Sequence, residues 1–277
     1  MPIIHLDSLD DPRLADYRMI RDPDLVRARQ VFLAEGRLVV ERLLAADRFT
    51  IRSLLLSDAT YAALTSTLAH AAVEPTVFLC RRDDFLGLTG MDIHRGCLAL
   101  VERPRPSTVD EVLAGASTVI VLEAVANPDN VGGIFRNAAA FGVDAVLLSP
   151  TSCDPLYRKA IRTSMAATLR VPFARAAPWP DALVTLREAG FEIAALTPRR
   201  PSQTLAHYIK GSQPARLALL LGAEGAGLSG EAEKMADIRI RIPIAPDVDS
   251  LNVAVAAGIA LAQLTARSPG PGLGGID

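Results

Sequence analysis

The stretch Ile238-Arg239-Ile240-Arg241-Ile242-Pro243-Ile244, Ala245 to Asp249, then Ser250-Leu251-Asn252-Val253-Ala254-Val255-Ala256-Ala257-Gly258-Ile259-Ala260-Leu261 decides the fold of the C-terminal half. Its first part alternates isoleucines with arginines, the two-residue period of a strand. Pro243 removes a backbone donor and so suits the strand's end. Asp247 and Asp249 are turn formers, and Ser250 is placed to cap the Ala-rich helix that follows. That helix is apolar nearly all the way round, so it is expected to be buried on more than one face. Ser250 and Asn252 put two polar side chains in its first turn, more than a purely structural helix needs. A strand, a short loop and a buried helix with a polar N-terminus form a common ligand-holding arrangement.

Outward from there, strands and helices alternate. Val119–Leu122, Ala145–Leu148, Glu192–Leu196 and Leu217–Leu221 read as strands, and Ile134–Phe141, Pro155–Thr168 and Ala182–Ala189 as helices. The unbroken apolar run Leu217-Ala218-Leu219-Leu220-Leu221 implies a parallel sheet covered on both faces. The first hundred residues read as a smaller α/β unit. Its strands are Val31–Ala34, Ile51–Leu56, Thr76–Cys80 and Gly96–Val101, and its helices Asp22–Arg29, Arg37–Ala46, Tyr61–Ala72 and Arg82–Leu88. Prolines interleaved with charges mark residues 102–107 as a linker. One domain is therefore expected over 1–106, a second over 107–267, and a flexible Pro/Gly-rich tail over 268–277.

Half of the 277 residues are apolar and 22% are charged, as in soluble globular proteins. No apolar run is suited to cross a bilayer and no basic-then-apolar leader opens the chain, so a cytoplasmic protein without membrane partners is expected. Cys80, Cys97 and Cys153 are scattered and odd in number, which fits neither a disulfide framework nor a metal site. Cys80 and Cys97 read as core residues. His5, His70, His94 and His207 read as structural or surface positions. The net charge of −2 lacks the basic footprint of nucleic-acid binding. Yet Lys159, Lys210 and Lys234 are the only lysines, and arginine's planar fork suits phosphate even without a basic total.

Three strand-to-helix junctions hold unusual polar residues, and in a parallel sheet such junctions converge at the strands' carboxyl ends. In Asn127-Pro128-Asp129-Asn130-Val131-Gly132-Gly133-Ile134-Phe135-Arg136, the glycines are expected to allow a sharp turn before the helix. On local composition alone, an Asn-capped turn with a surface arginine explains this stretch better than a site does. In Leu221-Gly222-Ala223-Glu224-Gly225-Ala226-Gly227-Leu228-Ser229, a strand runs into a glycine-rich loop that can offer backbone amides to a cofactor. Its spacing is neither a dinucleotide fingerprint nor a Walker loop, and Glu224 disfavours phosphate. The opening stretch is the third junction, where Arg239 and Arg241 also suit the solvated face of an edge strand.

In this order, the three junctions resemble the motifs of the SpoU (TrmH-type) family of RNA ribose 2′-O-methyltransferases, in the SPOUT superfamily. The resemblance runs from about Ser107 onward. Phe32-Leu33-Ala34-Glu35-Gly36 is similar to the small ribosomal-protein-like RNA-binding domain that often precedes the catalytic one. What the resemblance implies is a parallel α/β domain with a deep C-terminal trefoil knot, a homodimer, S-adenosylmethionine as methyl donor, and tRNA or rRNA as substrate. By motif, Asn130, Arg136, Glu224, Ser250 and Asn252 are the implied catalytic positions. Leu196, Thr197, Gly222, Glu224, Gly227, Ile242, Ile244 and Leu251 are those implied to hold the donor. Arg136 is joined as an RNA contact by Arg158, Lys159 and Arg162, which equally suit a solvated helix face. Ala223 stands where relatives often carry Asn. The first domain's balanced charge, with Asp22-Pro23-Asp24 and Gln30, departs from the basic residues frequent in relatives. Two other classes stay open on the residues alone: a non-catalytic RNA-binding protein on the same fold, and a nucleotide-using α/β enzyme.

Overall fold

The computed structural model describes residues 1–265 except 7, 19–20, 47, 72–73, 91–92 and 94–95, so His94 and the expected tail lie outside the described residues. The chain forms two compact units, one of Met1–Arg105 with Pro155–Ala166, the other of Pro106–Asp154 with the chain from Ala167.

The first unit contains β1 (Ile3–His5), β2 (Val31–Glu35), α1 (Arg37–Leu44), β3 (Ile51–Leu56), α2 (Asp58–Ala69), β4 (Thr76–Leu79), α3 (Asp84–Thr89) and β5 (Cys97–Glu102). Its sheet runs β1-β4-β3-β5-β2, parallel from β1 to β3 and antiparallel where β5 pairs β3 and β2. The helix expected over Asp22–Arg29 is helical over residues 22–28, its last part a wide turn at Asp24–Ala28. Burial pushes the Cys80 and Cys97 thiols up to about 12, in keeping with inert core residues.

The second unit opens with α4 (Val109–Leu113), held by a capping box between Thr108 and Glu111. It continues through β6 (Thr118–Glu123), α5 (Pro128–Ala140) and β7 (Ala145–Leu148). The chain then supplies α6 (Arg158–Thr163) to the first unit. It returns for β8 (Phe173–Arg175), α7 (Ala182–Glu188), β9 (Glu192–Leu196), β10 (Gln203–Thr204) and α8 (Leu205–Lys210), then β11 (Leu217–Gly222), α9 (Gly230–Met235), β12 (Ile238–Arg241) and α10 (Val253–Leu264). The sheet is parallel throughout, in the order β10-β12-β9-β11-β6-β7-β8. The apolar run Leu217–Leu221 sits near its centre, as buried strands require.

Several sequence expectations are corrected. α5 starts at Pro128, not Ile134: Asn127 caps it by accepting from Asp129 N, and Pro128 takes the first helical position, where no N–H is needed. Gly132 and Gly133 therefore lie inside the helix and make no turn. A Cβ on Gly133 would stand 2.9 Å from Ala254 Cβ, so that glycine lets α5 and α10 approach closely. The α10 cap is Asn252, not Ser250. β12 is not an edge strand, because the two-residue β10 covers its outer side.

The helix expected over Pro155–Thr168 is broken at Met165 and Ala166, whose φ of +52° and +65° end α6 before a short 3-10 turn at Ala167–Leu169. Its segment also belongs to the first unit, where the sequence reading placed it in the second. The reason is Glu35, which is 2% exposed and accepts from Arg158 Nη1 at 2.9 Å and Arg162 Nη1 at 3.2 Å. Asp22 also accepts from the Arg158 backbone N–H at 3.1 Å. Glu35→Ala removes the buried carboxylate that Arg158 and Arg162 share. It is expected to destabilise the protein by about 3 kcal/mol, the lower end of the range for broken buried pairs because Arg162 is half exposed. Urea denaturation of the variant against wild type checks this.

Candidate active site

Register places the carboxyl ends of three strands side by side: Leu221 of β11 pairs Leu196 of β9, which pairs Ile240 of β12. A cavity of about 650 Å³ opens there. All eight residues expected to hold a donor line it. Leu196 and Thr197 come from the end of β9, and Gly222, Glu224 and Gly227 from the loop after β11. Ile242, Ile244 and Leu251 come from the chain between β12 and α10. Ser250 and Asn252 line it too.

The glycine loop is shaped by sterics and then pinned. A Cβ on Gly222 would lie 2.3 Å from Gly227 C and 2.4 Å from Leu228 N, so the loop folds back over Gly222 on bare backbone. Gly225 and Gly227 take φ of +80° and +70°, which favours glycine. Three side chains that sequence reasoning missed hold this loop. Arg199 donates to Ala226 O at 2.7 Å and Leu228 O at 2.9 Å, and pairs with Glu233 at 3.3 Å. Glu233 is buried and also accepts from Thr197 Oγ1 at 3.0 Å. Buried Glu123, at the end of β6, accepts from Trp179 Nε1 at 2.8 Å and from Ser229 N and Oγ at 2.8 and 2.7 Å. Glu123 does stand at a strand-to-helix junction, a position that could have marked it. Arg199 and Glu233 carry no local signal.

The expected catalytic residues divide. Asn130, Glu224 and Asn252 meet: Asn252 Nδ2 donates to Asn130 Oδ1 at 2.9 Å and to Glu224 Oε1 at 2.8 Å. Ser250 is exposed at the cavity wall. Arg136 is exposed on α5 and does not line the cavity. Arg158 and Arg162 are engaged by Glu35 in the first unit, and Lys159 is exposed. Buried Cys153 does not line the cavity.

The cavity's chemistry selects its ligand. Leu196, Leu221, Ile242, Ile244 and Leu251 make apolar walls, the glycine loop offers backbone groups, and Glu224 and Asp249 add carboxylates. The lining cation among the described residues is Arg199, already committed to two carbonyls and Glu233. Such a site disfavours a nucleotide phosphate and fits a nucleoside carrying a positive charge. S-adenosylmethionine, with adenine, ribose, sulfonium and amine, meets that description.

The sequence model of the SpoU rRNA methylase family matches residues 117–262. A Mycobacterium tuberculosis protein named as an uncharacterized tRNA/rRNA methyltransferase is 44% identical over 92% of this chain and 89% of its own length. The Bacillus subtilis 23S rRNA (guanosine(2553)-2′-O)-methyltransferase RlmP is 26% identical over 94% of this chain and 98% of its own. The crystal structure of an AdoMet-bound rRNA methyltransferase from Sinorhizobium meliloti superposes with a TM-score of 0.79 at 26% identity, covering 95% of this chain and 97% of that one.

Proposed function

The chain belongs to the SpoU rRNA methylase family, and from that premise we propose that it methylates a ribose 2′-hydroxyl in tRNA or rRNA, with S-adenosylmethionine as donor. The observation that carries the reading is the meeting of Asn130, Glu224 and Asn252 at the edge of a cavity suited to that donor.

Backbone groups around Leu196, Thr197, Gly222 and Gly227 would hold the donor, Ile242, Ile244 and Leu251 would cover its apolar parts, and Glu224 would complement its positive charge. When bound, S-adenosylmethionine supplies an electrophilic methyl group on a sulfonium. The protein's part is to align the ribose oxygen with that methyl and to loosen the hydroxyl proton. A guanidinium stays protonated in proteins, so Arg136 does not act as the base. It grips the neighbouring RNA phosphate with two N–H groups, and that phosphate accepts a hydrogen bond from the 2′-hydroxyl and polarises it, the proton passing to water as the methyl transfers. Asn130 and Ser250 orient the ribose.

The same reading extends to the trefoil knot, supported by a cavity built from three loops that meet at adjacent strand ends. It extends to a homodimer, supported by Val255, an apolar residue 52% exposed on the apolar helix α10, and to the cytoplasm as its place. The first unit, with Lys159 and Arg162 exposed on α6, is assigned to RNA recognition.

The test is methyl transfer from labelled S-adenosylmethionine to total RNA from cells lacking this protein, with the modified nucleotide mapped. Label in one 2′-O-methylated nucleotide is the expected result. Donor binding without transfer to any RNA would favour the non-catalytic RNA-binding protein. No donor binding would overturn the reading.

A further inference from the structure

Asn252 spends its whole side-chain amide on the protein itself. Oδ1 accepts from the backbone N–H groups of Ala254 at 2.9 Å and Val255 at 3.2 Å. Nδ2 donates to Asn130 Oδ1 and Glu224 Oε1. The orientation is dictated twice over, because backbone amides only donate and an ionised carboxylate only accepts. Two N–H bonds and two lone pairs are all an Asn amide possesses for this purpose, and all four are taken.

A consequence falls on Asn130. Facing the Asn252 nitrogen, it presents its own oxygen, which turns its Nδ2 away. Asn130 is 5% exposed, and that nitrogen is buried without a hydrogen-bond partner among the described residues. An unmet buried donor is costly. Rotating the Asn130 amide is no remedy, since two N–H groups would then face each other.

We infer that Asn252 is a positioning residue whose side-chain amide is committed to the protein and hydrogen-bonds neither RNA nor methyl donor, and that it sets the polarity of the site. It holds Asn130 as a hydrogen-bond donor and Glu224 as an acceptor, tying together the three junctions that carry them. The catalytic consequence rests on the methyltransferase reading above, while the structural consequence does not.

Asn252→Asp separates these roles. The aspartate keeps the size and the helix cap, since one carboxylate oxygen still accepts from Ala254 and Val255. Its other oxygen meets two acceptors, Asn130 Oδ1 and Glu224 Oε1. The charged groups around it are Glu224, with Asp249 and Arg199 on the cavity wall and Asp129 beside Asn130 on α5. Two touching carboxylates raise one another's proton affinity. With the folded pKa raised, the repulsion is present above that pKa and relieved as pH falls through it, when the introduced carboxyl, once protonated, can again donate.

The experiment measures melting temperature and methyl transfer at about pH 8 and about pH 5.5, on either side of a carboxylate raised by its twin. Asn252→Asp is expected to melt lower than wild type at the higher pH and to close the gap at the lower. Glu224→Gln in the same chain, by donating to the aspartate, is expected to restore the melting temperature at both. In turnover, kcat at the higher pH is expected to fall about a hundredfold, the size of a misplaced catalytic group, and the loss to shrink on acidification relative to wild type. Wild-type turnover in the variant, or a loss indifferent to pH with additive melting shifts, overturns the inference. If the wild-type protein methylates no RNA, the methyltransferase reading fails. The melting-temperature cycle then decides alone: recovery by Glu224→Gln supports the positioning role and additivity rejects it.

Discussion

Gly222→Ala is expected to abolish useful S-adenosylmethionine binding, lowering affinity at least about a hundredfold, near 2.7 kcal/mol of binding energy. The added Cβ would lie 2.3 Å from Gly227 C, 2.4 Å from Leu228 N and 2.6 Å from Gly227 O. Every clashing atom is backbone, so no side-chain rotation relieves it. The loop must lift, and it forms one wall of the cavity. Lifting it also strains the hydrogen bonds from Arg199 to Ala226 and Leu228. Overpacking of this kind costs about 1–3 kcal/mol of stability, so the variant is expected to melt lower but still fold. Gly230→Ala is the matched control, because nothing lies within 4 Å of its added Cβ. Calorimetric titration of both variants with the donor makes the comparison. Unchanged affinity in Gly222→Ala would show that the donor binds elsewhere.

The second large effect is on turnover without donor binding. Arg136→Lys is expected to reduce kcat about a hundredfold and to weaken RNA binding, with donor affinity unchanged. Arg136 is exposed on α5 and contributes nothing to the cavity lining. On the proposed reading its contact is with the RNA substrate. Lysine keeps the charge but loses the two-pronged geometry that fixes a phosphate's orientation. If Arg136 served as the base instead, lysine, with its lower pKa, would do at least as well at alkaline pH. Steady-state kinetics across pH distinguish the two. Near-normal turnover in Arg136→Lys would eliminate the bidentate phosphate grip.

Much of this protein was legible before any coordinates. The strand periods at Ile51–Leu56, Ala145–Leu148 and Glu192–Leu196 match the observed elements residue for residue, because a buried strand advertises itself through local apolar patterning. Elements with little apolar surface of their own escaped: β1, β8, β10, α4, α8 and α9 are each six residues or fewer and depend on neighbours for their form. Most residues lining the cavity were legible, from the second and third motifs and from Leu196 and Thr197, which the family resemblance implied. Arg199, Glu123 and Glu233, which hold that cavity in shape, were not, because they act through partners up to 106 residues away.

Alone, the sequence determined the alternation of elements, the parallel character of the second sheet and the family, since each is written in local residue order. Tertiary structure alone decided three other matters. It assigned Pro155–Ala166 to the first unit, through Glu35 and a pair of arginines more than a hundred positions later. It moved the α5 glycines from a turn into a helix crossing, where a missing Cβ matters only because Ala254 lies opposite. And it fixed which way the amides of Asn130 and Asn252 point, because hydrogen-bond polarity is a property of the partners a side chain meets and not of the side chain itself.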